Sequence, residues 1–426
     1  MELVLDKYKQ SEVGLIPSDW EVCKIQTLID KNIIVGHLDG NHGALYPRTT
    51  EFVDDGIPYI SATDFPNGEI DFSSCKYLTK ERCEKFQKGF AKNGDILFAH
   101  NATVGPVAKL ETTLDYVMLS TTATYYRCDN SRLLSNYLKY VLQANYFVRQ
   151  YTAVMSQSTR FQVPITAQRK FSVAIPAKAE QTAIASALSD MDDLLNNLST
   201  LIEKKKAIKQ GAMQQLLKPK EGWVVKKLGE VIKDFQNGYG FSAAGYVSDG
   251  TPIVTMAQIG LDGTFNFDET KVNKWVTTDF DTLKNFHLKD GDLIIAMTDV
   301  TPEKNLVGRM AIVKTEKVLL LNQRVGLLRL DISKVNPYFL KTLSNMRDWR
   351  LYCIGSASLG VQANLGTKDI MNGEITLPLI EEQDRIANIL SDMDYEIQTL
   401  ELNLSKHQML KHGMMQELLT GKTRLI

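Results

Sequence analysis

Residues 176–217, beginning PAKAEQTAIASALSDMDDLLNNL and ending GAMQQLL, align without a gap with residues 378–419, beginning PLIEEQDRIANILSDMDYEIQTL and ending GMMQELL. The offset is 202, and by direct count 18 of these 42 positions are identical. A repeat of this length constrains the chain more than any other feature, because the fold must be built twice from one unit. A weaker echo precedes each copy. GIPYISATDF (56–65) resembles GTPIVTMAQI (250–259), and KNGDILFAH (92–100) resembles KDGDLIIAM (289–297). VGPVAKLE (104–111) resembles VGRMAIVKTE (307–316), and Trp20 before EVCKI corresponds to Trp223 before VVKKL. Each copy is therefore a more variable globular part followed by a more similar helical part.

The helical parts carry a sustained heptad pattern. Ile184, Leu188, Met191, Leu195, Leu198, Ile202, Lys205, Lys209, Ala212 and Leu216 alternate by four and three. Ile386, Leu390, Met393, Ile397, Leu400, Leu404, His407, Lys411, Met414 and Leu418 repeat the spacing, which predicts two long helices packed along a seam. Pro176 and Pro378 stand just before each helix, Glu180 and Glu382 fall in the first turn, and Pro219 and Gly421 follow the ends. Gly211 and Gly413 interrupt the helices at equivalent places, which fits either a close backbone approach or fraying. Roughly 39 residues at about 1.5 Å each make a rod of about 58 Å. Antiparallel packing, with a globular domain at each end and a pseudo-two-fold axis between them, needs no long return connection.

The globular parts read as mixed α and β. IPYISATDF, GDILFAH, DYVMLSTTATYYR, TPIVTMAQI, GDLIIAM and VGLLRLD are short strands rich in β-branched and aromatic residues. SRLLSNYLKYVLQANYFVRQY and NPYFLKTLSNMRDWRLY read as one helix in each copy. The expected class is α+β: two mixed domains and two long antiparallel helices, with boundaries at 1–175, 176–220, 221–377 and 378–426.

Composition excludes several function classes. No apolar run approaches 18 residues, so no membrane span is expected. The N-terminus MELVLDKYKQ carries charges within its apolar run and is not a signal peptide. Cys23, Cys75, Cys83, Cys128 and Cys353 lack CxxC spacing, as expected of reduced thiols in a cytoplasmic protein without a zinc site. The net charge of −1 carries no basic signature of nucleic-acid binding.

Motifs that suggest catalysis have simpler readings. The repeated DMD places Asp190 and Asp192, and Asp392 and Asp394, about 200° apart on a helix, so neither pair chelates one ion. These aspartates instead read as a solvated or partner-facing edge beside the Met seam. NPYF (336–339) resembles the methyltransferase tetrapeptide (N/D)PP(Y/F) but lacks its second proline. Asn336 as a helix cap with Pro337 at the first position accounts for it. FQNGYG (235–240) resembles a cofactor loop without the strand–loop–helix and acidic residue that such a loop needs. His37, His42, His100, His287, His407 and His412 have no ligand spacing, and His37, Asp39 and His42 read as surface-loop polarity. No catalytic or metal-binding residue is assigned.

Polar, aromatic-bearing loops recur at equivalent places. They are DGNHGALYPRTT (39–50), HNATVG (100–105) and SQSTRFQ (156–162), then QNGYGFSAAGY (236–246), MTDVTPEKN (297–305) and GSASLGVQAN (355–364). Their Asn, Gln, Arg, Ser and Thr side chains suit hydrogen bonding to base edges and phosphates, and fit ordinary solvated loops equally well.

Two variable domains, each followed by a helix with the pattern P…EQ…I…LSD.D…L…K…G.MQ.LL, resemble the specificity subunit of type I restriction–modification systems. The ending MMQELLTGKTRLI and the segments GIPYISATDF and GDILFA share that resemblance, which covers essentially the whole chain. It implies a non-catalytic subunit whose two target-recognition domains each read half of a bipartite double-stranded DNA target. The helices would set the spacing and dock two methyltransferase (M) subunits, with motor–nuclease (R) subunits completing the complex. S-adenosylmethionine, ATP and Mg would belong to those partners. At about 34–36 Å per turn, the rod would span one to two turns of DNA. A modification-only or fused-nuclease system is the related alternative, and an active adenine methyltransferase is the alternative of a different class.

Loop position and chemistry select Asn41, Tyr46, Arg48, Asn101, Thr103, Ser158, Arg160 and Gln162 as DNA-binding residues for the first half-site. Asn237, Tyr239, Ser242, Asp299, Ser358, Gln362 and Asn364 are selected for the second. Glu180, Gln181, Asp190, Asp192, Glu382, Gln383, Asp392 and Asp394 are the expected partner-binding residues.

Overall fold

The computed structural model describes residues 7–157, 161–301, 303–358 and 363–425. The chain divides into two units, 1–200 with 402–426, and 201–401. Each unit is thus a globular part completed by stretches of both long helices.

In the first unit, a four-stranded antiparallel sheet runs in the order Thr103–Lys109, Ile96–Asn101, Ala123–Cys128, Ile34–Asp39. A five-stranded sheet follows the order Phe52–Val53, Lys76–Leu78, Ile57–Ile60, Val117–Leu119, Phe90–Ala91, with one parallel pair at its centre. The second unit repeats both. Its four strands are Ile232–Asn237, Val325–Leu330, Leu293–Ala296 and Met310–Ile312, and its five-stranded sheet again has one parallel pair, Ile253 opposite Leu320. Alternation decides the faces. Ile96, Phe98 and Tyr126 face the helices, whereas Leu97, Ala99 and Tyr125 pack in a second core toward the five-stranded sheet.

The segment expected as one helix in each copy is two. Ser135–Val141 and Asn145–Met155 are separated by Ala144, and Pro337–Leu343 and Arg347–Ser356 by Met346. Both separators have extended backbone, with ψ of 144° and 152°, which ends a helix whatever its apolar pattern. Asn336 caps its helix, accepting from the N–H groups of Tyr338 (2.8 Å) and Phe339 (3.0 Å) with Pro337 at the first position.

The long helices are Lys178–Leu216 and Ile380–Leu418. Ile184 and Leu188 join the first unit's core, together with Leu418 and Leu419 from the end of the second long helix. Met213 and Leu217, from the end of the first, join Ile386 and Leu390 in the second unit's core. Met191, Leu195 and Met393 are half-buried, and Ile202 and Ile397 are buried. Within each unit residue numbers rise along one helix as they fall along the other: Asp192 meets Lys411, and Asp394 meets Lys209. Their packing is antiparallel. A Cβ on Gly211 or Gly413 would meet nothing within 4 Å, so these glycines mark no close approach.

Candidate nucleic-acid interface

Strands Ile34–Asp39 and Ile96–Asn101 both pair antiparallel with Ala123–Cys128, so both end at the same edge of the sheet. The loops after Asp39 and after Asn101 emerge there. The third loop is joined to the same edge by backbone. Ala102 N–H donates to the Phe161 carbonyl (3.1 Å), Val163 N–H donates to the His100 carbonyl (2.7 Å), and Asn101 pairs with Gln162. Three polar loops, at 39–50, 100–105 and 156–162, thus share one sheet edge in the first unit.

The second unit repeats this arrangement with other side chains. Thr298 pairs with Asn364 and Asp299 with Ala363, and Leu365 N–H donates to the Met297 carbonyl (2.8 Å). Asn237 ends the neighbouring strand and accepts from Thr367 (3.3 Å). Where each first loop leaves its strand, glycine is required. A Cβ on Gly40 would lie 2.1 Å from the Leu119 carbonyl oxygen, and one on Gly238 would lie 2.0 Å from that of Asn322.

Several sequence-selected residues prove structural. The Asn41 carboxamide is buried, donating to the Lys88 carbonyl (2.6 Å) and accepting from Gln87 N–H (3.2 Å), so its hydrogen-bonding capacity is directed inward. Asp299 is 2% exposed and accepts from Thr301 N–H (2.8 Å) and Leu306 N–H (2.6 Å). Although burial pushes its carboxyl up, those backbone donors hold it below the usual carboxylate range. It folds its own loop and is not placed to read a base. Asn101 and Gln162 are half-buried in the zippered edge. Thr103, Arg48, Ser242, Asn237, Ser358 and Asn364 are exposed. Tyr46 is exposed, and Tyr239 packs its ring against Phe241 and Phe286. Ser158, Arg160 and Gln362 lie outside the described residues.

Beneath the first unit's loop edge lies a buried polar network that loop chemistry did not reveal. Gln168 is fully buried. Its amide donates to the Val163 carbonyl (2.9 Å) and Thr124 hydroxyl (3.2 Å), and its oxygen accepts from Tyr126 (2.8 Å). His37 Nε2 lies 3.2 Å from that same oxygen, so Nε2 carries the proton and Nδ1 accepts from Arg169 (3.4 Å). Burial, more than Arg169, pushes the His37 imidazole down to about 4. Beside it, His100 is 5% exposed, its ring nitrogens have no hydrogen-bond partner, and burial lowers its pKa. Asp39 binds Lys88 and His42 (2.7 Å). Burial raises its carboxyl, but these two donors outweigh that and hold it low. The histidine–aspartate cluster expected as surface polarity is therefore interior apart from the exposed His42 ring, because strand alternation turns His37 inward.

The repeated pentapeptide is also turned inward. Asp192 accepts from Lys411, Tyr140 (2.7 Å) and Lys139 (3.3 Å); Asp394 accepts from Lys209, Tyr338 and Lys341 (3.4 Å). Each carboxylate ties one long helix to the other and to its own globular part. Burial raises both pKa values, but the hydrogen bonds from lysine and tyrosine more than offset it. Gln181 accepts from Leu134 N–H (2.9 Å) and donates to the Arg132 and Pro176 carbonyls. Gln383 does the same with Asn336 (3.0 Å), Lys334 and Pro378. Glu180 is buried against Trp20 Nε1 (2.9 Å) and Arg424 (2.5 Å). These residues, expected to face a partner, are occupied within their own units, because each repeated side chain joins a helix to its domain. Glu382 pairs with Lys220 (3.5 Å), while Asp190 and Asp392 are exposed. Exposed apolar residues lie seven apart instead: Leu194, Leu201 and Ile208 on the first helix, and Tyr395, Leu402 and Met409 on the second.

Among the described residues, no group of three or more His, Cys, Asp or Glu side chains could hold a metal, and no helix is long and apolar enough to cross a membrane.

The model of the type I restriction modification DNA specificity domain matches twice, at residues 17–210 and 220–406. Two relatives come from Methanocaldococcus jannaschii. The putative type I restriction enzyme MjaX specificity subunit is 24% identical, covering 99% of this chain and 97% of that protein. The type I restriction enzyme MjaVIII specificity subunit is 25% identical, covering 100% and 99%. In fold, the chain resembles the type I restriction–modification S subunit from M. genitalium, with TM-score 0.57, 14% identity and 94% and 96% coverage. It also resembles a chain from a structure described as the basis of complex assembly and conformational transition of the type I R-M system, with TM-score 0.55, 15% identity and 96% and 99% coverage. Two matched domains, built on one repeated topology, make this chain a member of the type I restriction–modification DNA specificity subunit family.

Proposed function

We propose that this chain is the non-catalytic sequence-reading subunit of a type I complex, with each unit reading one half of a bipartite DNA target. The carrying observation is one backbone platform built twice with different side chains at its edge: Asn101 opposite Gln162, and Thr298 opposite Asn364. Conserved geometry with divergent hydrogen-bonding groups suits reading two different sequences. Asn101, Thr103, Arg48, Tyr46 and Gln162 remain the reading candidates of the first unit, and Asn237, Tyr239, Ser242, Ser358 and Asn364 those of the second. The exposed heptad stripes, with Asp190 and Asp392, are the proposed docking surface for methyltransferase subunits, since apolar residues at seven-residue spacing suit further helices. S-adenosylmethionine, ATP and Mg would act in partner subunits, with motor–nuclease subunits completing the complex in the cytoplasm. Co-expression with the cognate methyltransferase, followed by genome-wide mapping of methyladenine, tests the reading. A bipartite motif supports it; a continuous palindrome or no motif sinks it.

A further inference from the structure

The two units carry the same zippered edge, so each serves as an internal control for the other. In the first, Phe161 is 76% exposed. Its backbone is nonetheless held: the Phe161 carbonyl accepts from Ala102 N–H, Gln162 pairs with Asn101, and Val163 is fully buried with N–H and carbonyl both bonded. Ala102 adopts φ +64°, a left-handed conformation that a non-glycine residue adopts at a cost. Gln168 anchors the Val163 carbonyl to the sheet from below. In the second unit the pairing is kept while Ala363 stands in place of Phe161 and is buried, and Ile370 stands in place of Gln168. The platform therefore folds without an aromatic ring at this position. The Phe161 ring is an addition, on a fixed backbone beside two carboxamides.

We propose that Phe161 is a specificity-determining residue of the first half-site, stacking on or wedging between its bases. This rests on the DNA-reading role above. Apolar side chains inserted at a base step unstack it, and aromatic rings stack on exposed bases. Asn101 and Gln162 are placed to hydrogen-bond the edges of the bases that the ring separates.

The test uses the complex of the full chain with its methyltransferase and target duplexes carrying 2-aminopurine at successive positions of each half-site. The wild-type complex is expected to brighten one position in the half-site read by the first unit, and Phe161→Ala to abolish that signal. That variant should bind the target about tenfold more weakly, with unchanged melting temperature. Phe161→Trp should keep both signal and affinity. Brightening and affinity within twofold of wild type in Phe161→Ala, on a target the wild-type complex reads as bipartite, overturn the wedge alone. If the wild-type complex recognises no bipartite target, the DNA-reading role falls and the wedge with it.

Discussion

Gln168 shows what a single buried carboxamide does here. It satisfies Tyr126, His37, Thr124 and the Val163 carbonyl at once, so Gln168→Leu strands several buried polar groups. The expected loss is about 2–4 kcal/mol, read as a shift in denaturant midpoint. His37 carries a pH dependence. Its imidazole is neutral in the fold down to about 4, while the unfolded chain takes up the proton near 6.5. Stability is unaffected above that pH, falls as pH drops from about 6.5 to 4, and loses about 3 kcal/mol in full. Selective 15N-histidine labelling, with the His37 resonances assigned by comparison with His37→Phe, should show that ring still protonated at Nε2 alone at pH 5.5; a His37 ring titrating near 6.5 would contradict the geometry. The equivalent layer of the second unit holds Phe235, Met297, Leu328 and Ile370, so it lacks this dependence.

At the scale of the helix, the repeat was legible because a seam of Leu, Ile and Met at heptad spacing leaves a periodic trace. What the periodicity could not show is which polar positions turn inward. Asp190 and Asp192 look alike in sequence, and only the tertiary partners Lys411 and Tyr140 distinguish them. Asn41 and Asp299 misled for the same reason: their chemistry suited DNA, but backbone N–H and carbonyl groups across the fold claimed it. His37 was missed because a strand residue's face depends on register. A double-mutant cycle on Asp192 and Lys411 should give about 1 kcal/mol of coupling at pH 7. Because the carboxyl pKa is lowered in the fold, that coupling is present above about pH 4 and fades as pH falls through the folded value. Gly211→Ala and Gly413→Ala face open space within continuous helices and should each stabilise by about 0.5–1 kcal/mol in thermal unfolding.

For the molecule as a whole, the near-zero net charge predicts weak binding to DNA by this chain alone, steeply weakened by salt. Nanomolar binding without partners at physiological salt would contradict that. The last residues matter for stability as well. Arg424 bonds Glu180 and Asp19, and its own pKa is raised by both carboxylates. Gly421, with φ +66°, lies so close to Pro17 that a Cβ would sit 2.4 Å away. Deleting residues 420–426 leaves the buried Glu180 carboxylate without its cation and should cost about 3 kcal/mol or more, lowering the melting temperature by roughly 6–12 °C in calorimetry.

That anchorage also sets an order of events during synthesis. The first unit contains residues 1–200 and 402–426, so its core lacks Leu418 and Leu419, and Glu180 lacks Arg424, until residues 402–426 have been made. At about 5–20 residues per second, the ribosome takes on the order of tens of seconds to cross the intervening stretch. A chain cut short before residue 418 therefore leaves its first unit unclosed, with the buried Glu180 carboxylate lacking the Arg424 cation.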